Sequence, residues 1–88
     1  MILQLEEQLL DTIDQTVATA SDDELFAGGY LRGHISLAAA DCEYEGITDV
    51  ALFKQKIEQS LSDAQTELTP ADRAIVADMW DSLSQALA

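Results

Sequence analysis

Apolar side chains recur every three to four positions along almost the whole chain, and no stretch alternates apolar with polar as a half-buried strand would. A chain with that period folds into helices. Little interrupts it, since the sequence holds one proline, four glycines and no asparagine. At 100° per residue, Ile2, Leu5, Leu9, Leu10, Ile13, Val17 and Ala20 share one arc, while Glu7, Asp11 and Asp14 fall opposite. This predicts an amphipathic helix over residues 2–20. Glu6 falls inside the apolar arc, near the end where a helix frays.

Ser21 followed by Asp22, Asp23 and Glu24 forms a capping box: the Ser21 hydroxyl accepts from the third amide and Glu24 reaches back to the Ser21 amide. Three acids in one first turn also suit the positive end of the helix dipole. A second helix is expected over 22–40. Gly28, Gly29 and Gly33 each weaken its interior by about 1 kcal/mol relative to alanine, so burial and close helix packing must hold it. Gly29 and Gly33, four apart, mark the expected close approach. Residues 41–46 read as a loop ending in a turn glycine, Gly46. Thr48 is expected to cap a third helix carrying Val50, Phe53, Ile57, Leu61 and Ala64 on one narrow stripe, with Lys54 and Glu58 paired on its flank. Thr69, Pro70 and Asp72 supply an N-cap, a fixed first φ and a dipole-stabilising acid. The helix they open is expected to reach Leu87, with Ile75, Val76, Met79 and Leu83 facing inward and Trp80 at that face's edge. The expected fold is all-α: a compact antiparallel four-helix bundle in one domain, residues 1–88. A three-helix fold with a loose third segment is the alternative, because the third stripe is the thinnest.

Charge limits what such a domain can bind. Seventeen acidic residues stand against four basic ones, a net charge of −13, and every quarter of the chain is net negative. That field repels phosphate backbones and anionic membranes, which excludes direct nucleic-acid binding and membrane association. The mean hydropathy of +0.01 and 48% apolar content are too high for a disordered acidic tail. One cysteine, Cys42, allows no intrachain disulfide. The first residues reach acid without a basic region, so no secretory signal is expected. The chain reads as cytoplasmic.

Residues 21–38 (SDDELFAGGYLRGHISLA) and 68–83 (LTPADRAIVADMWDSL) resemble the YfcL family, small acidic proteins of gammaproteobacteria. Glycines beside Tyr30, Arg32 and His34 on one helix make the first segment specific. The resemblance implies no activity, cofactor or catalytic residue.

Candidate sites read as follows. His34 lies on the apolar face of the second helix, where a buried histidine satisfied by one hydrogen bond is expected. A nucleophilic Cys42–His34 pair is disfavoured, because acidic surroundings raise a thiol pKa. No Glu-x-x-His, Cys-x-x-Cys or His-x-x-x-His spacing occurs, so no metal or other cofactor is expected. Arg32 is expected to pair with Asp78 or Asp72 on the fourth helix. Tyr30, Arg32 and Trp80 are the candidate partner-binding residues, on a surface shared by the second and fourth helices.

These residues fit a non-enzymatic interaction protein whose partner is a basic protein. The alternative is a nucleic-acid mimic, with Glu7, Asp11 and Asp14 as a short ridge of phosphate-like charges. A small enzyme is disfavoured for want of a nucleophile motif.

Overall fold

The computed structural model describes residues 2–87. The sequence period produces four α-helices: α1 (Ile2–Thr16), α2 (Asp22–Glu45), α3 (Val50–Asp63) and α4 (Pro70–Ser84). Short 3₁₀ turns follow α1, α3 and α4, at Val17–Thr19, Gln65–Glu67 and Gln85–Leu87. No strand forms among the described residues.

Three of the four helix starts follow from side-chain caps. At α2 both halves of the capping box close: the Glu24 amide donates to Ser21 Oγ and the Ser21 amide to Glu24 Oε1, each at 3.2 Å. At α4 the Asp72 amide donates to Thr69 Oγ1 at 3.2 Å, with Pro70 in the first position. At α3 the cap is Asp49, which accepts from the Ala51 amide at 2.8 Å. Thr48 was the expected cap. A carboxylate placed beside the helix N-terminus adds charge–dipole attraction that a hydroxyl lacks.

The second helix runs five residues beyond the expected 40, through the segment read as a loop. Gly46 ends it in the left-handed conformation, with φ 71°. Its amide donates to Glu43 O at 3.2 Å and the Ile47 amide to Cys42 O at 2.8 Å. That pair of bonds is a Schellman motif, which satisfies carbonyls the helix end leaves open.

The bundle is organised around α2. Helices α1, α3 and α4 each pack mainly against it, and α1 and α4 make little contact with each other. Covered on several sides, α2 buries Ala27, Gly28, Leu31, Ile35, Ala38, Ala39 and Cys42, which is why its apolar residues spread round the helix and not along one stripe. Leu9 and Ile13 of α1, Phe53 and Ile57 of α3, and Val76, Trp80 and Leu83 of α4 close the core around it. Phe53 and Ile57 are fully buried, so the third helix is an integral part of the fold. The radius of gyration, 12.5 Å, sits at the roughly 12 Å expected of a compact chain this long.

The glycines divide differently from the expectation. A Cβ at Gly28 would lie 2.9 Å from Ile13 Cγ2, so Gly28 sets how closely α1 approaches α2. Around Gly29 and Gly33 there is nothing within 4 Å. Both lie on the exposed face of α2 and mark no helix contact.

Candidate functional site

Tyr30, Arg32 and Trp80 do not converge on one surface. Residues two apart on a helix point about 200° away from each other, and Tyr30 and Arg32 accordingly occupy opposite flanks of α2. Arg32 turns to α1, not α4. Its Nε donates to Asp14 Oδ1 at 2.9 Å and its Nη2 to Oδ2 at 2.7 Å. The guanidinium holds the Asp14 carboxyl below its ordinary value, chiefly through these bonds, and the carboxylate raises the arginine in return. Both side chains are more than two-fifths exposed, so the pair orients α1 on α2 without adding much stability. Asp78 and Asp72, the expected partners, are free of Arg32.

Trp80 is 5% exposed. Its Nε1–H donates to Glu58 Oε2 at 3.0 Å, fixing α4 to α3. The Lys54–Glu58 pair expected from their spacing therefore gives way to a contact between helices. The lysine that does pair on α3 is Lys56, whose Nζ lies 2.6 Å from Glu45 Oε2 at the end of α2.

Tyr30 lies in a ladder of rings along α2, with centroids 6.1 Å from Phe26 and 4.7 Å from His34. Its hydroxyl is enclosed and makes no hydrogen bond. Burial first, and the nearby Glu67 carboxylate second, push the phenol pKa up. Tyr30 also borders a hollow of about 240 Å³ lined by Leu61, Leu68, Arg73 and Val76. There the Arg73 Nε donates to the Leu68 carbonyl at 3.2 Å. His34 makes its one expected hydrogen bond, sharing 2.6 Å with Ser60 Oγ through Nδ1, but it is half-buried and not enclosed.

Cys42 is fully buried, and burial is the main cause that raises its thiol pKa. Eight residues of continuous helix, about 12 Å of rise, separate it from His34. That separation leaves no nucleophile–base pair. Among the described residues, no three His, Cys, Asp or Glu side chains come together as a metal site would require. The ridge of Glu7, Asp11 and Asp14 is broken at Asp14 by Arg32.

A concavity lies where α1 and α4 diverge over the start of α2. It holds about 410 Å³ and is lined by Thr12, Ile13 and Thr16 of α1, Glu24 of α2, and Ile75, Asp78, Met79, Ser82 and Leu83 of α4. Its floor adjoins Gly28, where Ile13 from α1 and Met79 from α4 both come against α2. The threonines offer little polarity to it. Thr12 Oγ1 donates to the Gln8 carbonyl at 2.9 Å and Thr16 Oγ1 to the Ile13 carbonyl at 2.8 Å. The charged lining residues are Glu24 of α2 and Asp78 of α4, and among the described residues no cation lines the groove. Sequence reasoning placed Ile75 and Met79 on an inner face but did not find this groove. The signal needed is the placement of α1 and α4 on neighbouring flanks of α2, which no local pattern encodes.

No helix among the described residues is long and apolar enough to cross a membrane. No solved structure matches the chain. The family described as YfcL protein matches residues 3–85. The uncharacterized protein YfcL of Escherichia coli strain K12 is 46% identical over 87 residues, covering 97% of this chain and 95% of that protein. With almost its whole length matched, and both specific segments inside the match, the chain belongs to the YfcL family.

Proposed function

We propose that this chain is a non-enzymatic, cytosolic interaction protein that binds a basic protein. The observation that supports the reading is charge in excess of what the fold uses. Of 17 acidic and 4 basic residues, Asp14 pairs with Arg32 and Glu45 with Lys56. Most of the remaining acids are exposed, and among the described residues no other one lies within ion-pair distance of a cation. A magnitude of about 2–8 keeps a small domain soluble, and −13 exceeds it. Surplus charge of one sign steers and selects partners of the other sign. The break in the α1 ridge at Asp14 disfavours a nucleic-acid mimic, which needs an unbroken row of carboxylates.

Affinity capture from lysate at low and at high salt tests the reading. Basic proteins are expected to co-elute at low salt and to be released as salt rises and screening shortens. Capture that enriches no basic protein, or that salt leaves unchanged, overturns it.

A further inference from the structure

The reading above leaves open where a basic partner sits and in what form. We infer that the groove between α1 and α4 receives one face of a basic amphipathic helix from the partner, an assignment that rests on that reading.

Three observations point to this occupant. The floor of the groove, Ile13, Ile75, Met79 and Leu83, is apolar, and the Thr12 and Thr16 hydroxyls beside it are engaged by their own backbone. An occupant must therefore bring apolar side chains and has few donors or acceptors to satisfy. Two acids line the groove, Glu24 on the α2 side and Asp78 on α4, while its α1 residues are uncharged. Among the described residues Asp78 on α4 has no ion-pair or hydrogen-bond partner, and Glu24 uses only Oε1 on the Ser21 amide. Asp22 and Asp23 precede Glu24 in the same turn. Charges that flank the occupant's apolar face must therefore be cationic.

The walls are two helices that both pack on α2 and hardly touch each other. No strand edge is present among the described residues to pair with an extended peptide. A cleft between two helices with an apolar floor suits helix-in-groove recognition, with anchors at i, i+3, i+4 and i+7. Met79 at the centre suits it, because an unbranched thioether adapts to the shape of what it meets.

The groove is distinct from a second uncovered apolar surface, the outer face of α2. That face carries Phe26, Leu37 and Tyr44 with Gly29 and Gly33 between them. It has no acidic rim along its middle turns, and nothing there selects a cation.

Three synthetic peptides of about 18 residues, long enough for five turns, test the inference. One is an amphipathic leucine–lysine helix. The second has the same lysines with serine for leucine. The third has glutamate for lysine. Backbone amide shifts of the labelled full-length protein locate each peptide, and titration gives its affinity. The leucine–lysine peptide is expected to bind on the order of tenfold more tightly than either control and to shift Ile13, Ile75, Asp78 and Met79. Asp78→Lys, an exposed substitution that should not disturb folding, is expected to weaken it severalfold.

Leucine–lysine binding whose shifts fall on Phe26, Leu37 and Tyr44 overturns the groove assignment and leaves the basic-partner reading standing. Equal binding of the serine–lysine peptide overturns the apolar floor as the site. Failure of both lysine peptides to bind overturns the groove assignment, and capture from lysate then decides the basic-partner reading separately.

Discussion

At Gly28 one methyl group decides how α1 sits on α2. A Cβ there would lie 2.9 Å from Ile13 Cγ2, a methyl fixed on the branched Cβ that cannot swing away as the end of a flexible side chain would. Gly28→Ala is therefore expected to destabilise the fold by about 1–3 kcal/mol, as overpacking does. Gly33 has open space around it and ordinary helical φ. Gly33→Ala is expected to stabilise by about 0.5–1 kcal/mol, because alanine loses less backbone freedom in a helix. Urea unfolding of the two variants checks both signs. Equal effects would mean that the glycines act through helix propensity alone.

Residue-level chemistry was partly legible in the sequence. The capping box, the Thr69–Pro70 start and the inner face of α4 follow from local spacing and stand in the structure, as does the inner face of α1 as far as Ile13; α1 ends at Thr16, short of the expected 20, and Val17 is half exposed. The shared surface expected of Tyr30, Arg32 and Trp80 does not stand, and the reason lies in the same arithmetic: positions two apart cannot face one partner helix. The partner of Arg32 was not legible. A long side chain at the border of an apolar face reaches whichever helix lies on that side, and spacing along α2 does not say that the helix is α1.

At the scale of elements, the end of α2 shows how tertiary packing overrides a local signal. The turn glycine Gly46 makes 41–46 read as a loop, and Asp41, Glu43 and Glu45 near the helix C-terminus oppose its dipole. Burial of Cys42 and the Schellman bonds at Gly46 outweigh the opposition. Lys56 from α3 supplies a cation to Glu45. The turn then depends on Gly46, whose φ of 71° costs a residue with a Cβ about 1–2 kcal/mol. Gly46→Ala is expected to lower stability by that amount while leaving helix content unchanged, read by circular dichroism with denaturant. A neutral result would place the end of α2 elsewhere. The same override explains why the groove escaped notice. Each of its walls was visible as a helix face, but their splay depends on both packing against α2.

At the scale of the whole molecule, the central claim is that this surface carries more negative charge than the fold itself benefits from. Among the described residues two ion pairs cross between helices, and the other carboxylates repel one another across a globule 36 Å in its longest dimension. Most of those separations exceed a Debye length at physiological salt and fall within it at low salt. Self-repulsion of this kind weakens the compact state. The direct measurement is Tm at neutral pH between about 10 mM and about 300 mM NaCl, over which the Debye length shortens severalfold. The account predicts that Tm rises with salt. A Tm that stays level or falls would contradict it, because the charge would then cost the fold nothing and would no longer call for a basic partner.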